Sequence, residues 1–139
     1  MSDGFFGKIK DVMSREQGVR MVADDPALTA ELLLLFRVVM ADGKATADEI
    51  AKLREICASA FGIGEEAMDG VGEYLRDVGY ETTIQQAADM FAELGQERRK
   101  LLIEHMVQIA EADHDASANE LGLIRSVAAK LGFEIAPAI

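Results

Sequence analysis

The chain has a single cysteine, two prolines, no tryptophan and only 6% aromatic residues in 139. Cys57 cannot close a disulfide within one chain, so no covalent staple is available, and the composition suits a reducing compartment such as the cytosol. Its apolar neighbours on a helical pattern point to a buried structural thiol. With so few prolines and so much alanine, leucine, methionine and glutamate, the composition is that of an all-α protein. Basic charge is scarce as well. Fourteen lysines and arginines against 25 acidic residues leave a net charge of -11, and such a field repels a phosphate backbone, which excludes non-specific nucleic-acid binding. No run is apolar enough to span a bilayer. The longest, Leu32 to Met40, is broken by Arg37 and falls far short of the roughly 20 residues required. The start Met1-Ser2-Asp3-Gly4 lacks the basic opening of a secretory signal. These absences predict a soluble, cytoplasmic, single-domain helical bundle whose partners are cations or basic surfaces.

Hydrophobic spacing divides the chain into about seven helices. Phe5, Phe6, Ile9, Val12 and Met13 share one face of an amphipathic helix over residues 1–16, which either folds onto the core or lies on a membrane surface. A loop is predicted from Gly18 to Asp25. Asp25 then caps, and Pro26 opens, a helix to about Ala41 that is so apolar it belongs at the centre. Thr46-Ala47-Asp48-Glu49 has capping-box spacing at the head of a helix ending at Phe61, with Ile50, Leu53, Ile56, Cys57 and Ala60 inward. A helix from Glu65 to Val78 carries Gly70 and Gly72, where another helix could approach closely. Thr82 to Gln85 offers a second capping box for a helix closed by Gly95. The helix from Gln96 to Ala112 is apolar at Leu101, Leu102, Met106, Ile109 and Ala110 but polar at Glu104, His105 and Gln108, so it should lie nearer the surface. The last helix is capped by Ser117 and Glu120, buries Leu121, Ile124, Val127, Ala128 and Leu131, and stops at Gly132.

Two acidic stretches stand in register at an offset of 71. Asp42 aligns with Asp113, Thr46 with Ser117, Glu49 with Glu120 and Arg54 with Arg125, which reads as an internal repeat of helix-loop-helix units. Capping explains the hydroxyl-to-glutamate spacing. It does not explain an aspartate where the leading helix ends, because free carbonyls there already carry partial negative charge. Either loop N-H groups satisfy Asp42 and Asp113, or a divalent cation does, ligated by these aspartates and the first-turn glutamates.

Specific metal motifs fail. Counted from Asp113, an EF-hand has donors at Asp115, Ser117 and Asn119, but Ala118 replaces the required glycine and Ile124 the bidentate glutamate. The first stretch has Lys44 third and Leu53 twelfth. Glu111-x-x-His114 has di-iron spacing, but Met40 and Gly43 stand at the matching places of the other unit. His105 and His114 read as solvent-facing residues. No nucleophile triad, phosphate loop or cysteine cluster is present, so the sequence reads as non-enzymatic.

Met-Ala-Asp-Gly-Lys-Ala-Thr-Ala-Asp-Glu at 40–49 and Ile-Ala-Glu-Ala-Asp-His-Asp-Ala-Ser-Ala-Asn-Glu at 109–120 resemble the signatures of the tellurite-resistance TerB-like family. The resemblance covers about residues 25–133. It implies a compact all-α fold of about seven helices and cytoplasmic proteins, some of them associated with the inner membrane face and linked to tellurite or other chemical stress. It also implies a metal site at Asp42, Glu49, Asp113 and Glu120. The second unit departs from the family pattern, having His114 where glycine follows the aspartate, while Asp115 adds a carboxylate. The ion, the stress and any protein partner are not named by the sequence, and neither is the oligomeric state. The alternative to a cation-binding module is a structural domain that recruits a protein or a membrane without metal.

Overall fold

A computed structural model describes residues 16–41, 43, 45–79, 82–112 and 116–133. Most of the amphipathic segment 1–16, the aspartates Asp42, Asp113 and Asp115, His114 and the end of the tail lie outside these residues. Among those described there are seven helical segments and no strand. They are α1 (residues 16–23), α2 (Pro26–Val39), α3 (Ala47–Phe61), α4 (Glu65–Gly79), α5 (Ile84–Ala92), α6 (Gln96–Ala110) and α7 (Ala118–Lys130).

The most apolar stretch of the sequence occupies the centre. Asp25 accepts from Leu28 N at 3.1 Å, Pro26 supplies the first turn, and α2 then buries Leu28, Leu32, Leu33, Leu34, Leu35, Val38 and Val39. The helices α3, α4, α5, α6 and α7 all pack against it. Burying each leucine contributes about 1.5–3 kcal/mol, so α2 is the main source of apolar stabilisation. By contrast α6 leaves Leu101 44% exposed, in keeping with its more peripheral position.

Start and stop chemistry follows local sequence. Thr46 and Ser117 each form a full capping box with Glu49 and Glu120. Gly62 and Gly132 end α3 and α7 at φ +69° and +89°, a conformation that a side chain disfavours.

Several expectations need correction. Residues 16–23 are helical rather than a loop, because Val22 is fully buried and its carbonyl accepts from Thr29 Oγ1 at 2.6 Å. The close approach falls at Gly18, where a Cβ would overlap Ala67, whereas Gly72 faces open space. The α5 cap is Thr83 with Gln86, one residue later than expected, which turns Ala87, Ala88 and Phe91 inward. Gly95 does not close α5; it opens α6 as its N-cap. On α3 the inner face is rotated. Glu49 joins Leu53, Ile56 and Cys57 inside, Ile50 is half-buried and Ala60 is exposed. Leu121 on α7 is likewise half-buried, with Glu120 inside. His105 is buried at 7% exposure rather than facing solvent.

Candidate functional site: two buried carboxyl clusters

Glu49 sits on the first turn of α3 and Glu120 on the first turn of α7, each 1% exposed. The capping boxes engage one oxygen of each. Glu49 Oε1 accepts from Thr46 N at 3.3 Å and Thr46 Oγ1 at 3.0 Å, and Glu120 Oε1 accepts from Ser117 N at 2.9 Å. Glu49 Oε2 and Glu120 Oε2 are buried and have no hydrogen-bond partner. Capping therefore accounts for half of each carboxyl group.

The two carboxyl groups are neighbours. Burial first, and then the neighbouring Glu120 carboxyl, raise the Glu49 pKa from 4.5 to about 7, against the lowering effect of the Thr46 donors. Two ionised carboxylates side by side would each leave a buried oxygen unsatisfied. One positive charge between them, a proton or a metal ion, satisfies both. Of the four residues that the family pattern nominates, the structure thus brings Glu49 and Glu120 together, while Asp42, Asp113 and the additional Asp115 lie outside the described residues. Among the described residues no group of three or more His, Cys, Asp or Glu side chains is arranged to hold a metal.

A second cluster was missed by sequence reasoning. Glu31, on the largely apolar α2, is 1% exposed. Its Oε2 lies 3.7 Å from His105 Nδ1, and its Oε1 lies 3.6 Å from Arg98 Nη2, so both partners come from α6. These separations are beyond direct hydrogen-bonding distance, and Glu31 Oε1 and His105 Nδ1 have no hydrogen-bond partner. The Phe61 ring meets His105 edge-on, with centroids 5.9 Å apart. Glu31 also influences Cys57, whose thiol is pushed up to about 12, first by burial and then by this carboxylate. That makes Cys57 a structural thiol. The available signal was a lone acid inside a leucine run, a residue type almost never fully buried without a partner.

Fold and site together define an all-helical domain whose first-turn glutamates cap two helices and meet in the interior. The chain belongs to the TerB family, since the family described as Tellurite resistance protein TerB matches residues 27–138. A search of curated proteins found no match, and neither did a search of solved structures.

Proposed function

We propose that this TerB domain is a non-enzymatic, cation-responsive module acting in tellurite or another chemical stress. Glu49 and Glu120 would supply two hard carboxylate oxygens to a divalent cation, and Asp42, Asp113 and Asp115 are the further ligands that the sequence nominates. The observation that carries this reading is the pair of buried, unpartnered Oε2 atoms on two different helices. Ion binding there would tie the start of α3 to the start of α7 and so alter the surface offered to a protein partner. TerB domains are in general non-catalytic helical modules, in keeping with this reading.

Calorimetry with calcium, magnesium, manganese and zinc tests it. A saturable heat for at least one ion is expected, and it should be lost when Glu49→Gln and Glu120→Gln are combined. Absence of saturable heat with all four ions overturns the ion-binding part.

The alternative is a structural interaction domain in which a shared proton replaces the ion. The raised Glu49 pKa favours it, because a neutral carboxyl can donate to Glu120. Recruitment could then involve a protein or the inner membrane face. Among the described residues no helix is long and apolar enough to cross a membrane, so membrane contact through them would be peripheral.

A further inference from the structure

Ligand oxygens that solvent cannot reach impose a condition on the site proposed above. Glu49 Oε2 and Glu120 Oε2 are sealed from solvent, and each glutamate as a whole is 1% exposed. A hydrated divalent cation is larger than a water molecule and must give up part of its water shell to accept a carboxylate oxygen. It cannot meet these atoms while both first turns are closed, so one of them has to open.

The two turns are not held alike. Glu49 Oε1 accepts from Thr46 N at 3.3 Å and from Thr46 Oγ1 at 3.0 Å, and Glu49 N donates to the same hydroxyl at 3.1 Å. On α7 the box is the simple reciprocal pair: Ser117 N donates to Glu120 Oε1 at 2.9 Å, and Glu120 N donates to Ser117 Oγ at 3.1 Å. Ala118 and Asn119, between the cap and the carboxyl, are both exposed, so the first turn of α7 can unwind without uncovering the core. Helix ends open at free energies far below that of global unfolding. Ile124, Val127 and Ala128 keep the rest of α7 seated while its first turn opens.

We propose that the capping box of Ser117 and Glu120 is a gate: the first turn of α7 unwinds before the carboxyl pair takes up a cation. The gate rests on the ion-binding reading and sets the rate of that binding. A site that must open first fills more slowly than diffusion allows, and at high ligand concentration its rate levels off at the rate of opening. Because the ion takes no part in the opening step, the plateau is the same for every ion that binds. Capture on an exposed surface followed by closure would instead level off at a value that differs between ions.

The test uses the full chain at pH 8. Calorimetry with calcium, magnesium, manganese and zinc first shows which ions bind; no saturable heat with any of them sinks the ion reading and the gate with it. For each ion that binds, stopped-flow mixing with a fast fluorescent indicator of free ion follows uptake over a rising concentration series. Rates that level off at one common value are expected. Ser117→Ala should raise that value about fivefold, the factor to which an ordinary lost cap corresponds, and Ser117→Thr should return it to that of the wild type. Circular dichroism checks that each variant keeps its helical content. In metal-free protein, hydrogen exchange corrected for intrinsic rates should be faster at the Glu120 amide than at the Glu49 amide. With binding established, uptake that stays linear in ion concentration overturns the gate and leaves the ion site standing. So does a plateau that differs between ions, one unmoved by Ser117→Ala in a folded variant, or a Glu49 amide that exchanges faster.

Discussion

Glu31 and Glu49 are equally buried, yet their surroundings differ in sign. Glu31 faces two basic side chains of α6. Glu49 faces another carboxyl group. Charge on Glu31 therefore joins two helices, whereas charge on Glu49 pushes two helices apart unless a proton or cation intervenes. One cluster sets an acid among basic groups and the other sets two acids side by side. Burial alone does not distinguish these two settings.

The largest expected effect lies at Glu31. Glu31→Ala removes the partner of Arg98 and His105 and opens a cavity between α2 and α6. Unfolding by urea should show a loss of about 3 kcal/mol, toward the low end for a broken buried pair because Arg98, with its side chain 44% exposed, can recover hydration. A loss near zero would mean that the cluster does not join α2 to α6.

At Glu49 the sign should reverse. Its folded pKa of about 7 exceeds the ordinary 4.5, so between these values the folded chain holds more protons than the unfolded one. Stability from this group is fully present below about pH 4.5 and is lost as pH rises through about 7, by at most about 3 kcal/mol. Glu49→Gln should remove that slope: nearly neutral at pH 4.5, it should be stabilising at pH 8 without added metal. Urea midpoints at the two pH values check this. A variant destabilised at both would show that the Glu49 charge is already compensated. If a divalent ion fills the site, excess ion should raise the wild-type midpoint at pH 8, by about 2.7 kcal/mol at a hundred times its dissociation constant, and leave the double glutamine variant unmoved.

Much of this contrast was hidden in the sequence, while most of the fold was not. Asp25 and Pro26, the Thr46 and Ser117 boxes, and Gly62 and Gly132 each act on their own neighbours along the chain, so local pattern located them. The Thr83 box was misplaced by one residue because two adjacent threonines are each followed three positions later by a glutamine, and only the burial of Ala87, Ala88 and Phe91 chooses between them. Glu31 with His105, 74 positions apart, and Glu49 with Glu120, 71 apart, depend on how distant helices pack. The capping spacing even concealed the second pair, since it supplied a sufficient local reason for each glutamate. The cap leaves one buried oxygen of each glutamate without a hydrogen-bond partner.

The smallest expected effect separates the two halves of the carboxyl pair itself. Thr46 Oγ1 accepts from Glu49 N at 3.1 Å and also lies 3.0 Å from Glu49 Oε1, to which it can donate. Ser117 Oγ accepts from Glu120 N at 3.1 Å. Thr46→Ala and Ser117→Ala should each cost about 1 kcal/mol as lost caps. At Thr46 the hydroxyl also favours the ionised form of Glu49, so its removal should carry the midpoint of the pH-dependent stability change upward as well. Thr46→Ser keeps the hydroxyl and should restore both the cap and that midpoint. If Thr46→Ala lowers stability by the same amount at pH 4.5 and pH 8, the hydroxyl acts only as a cap and does not hold charge on Glu49.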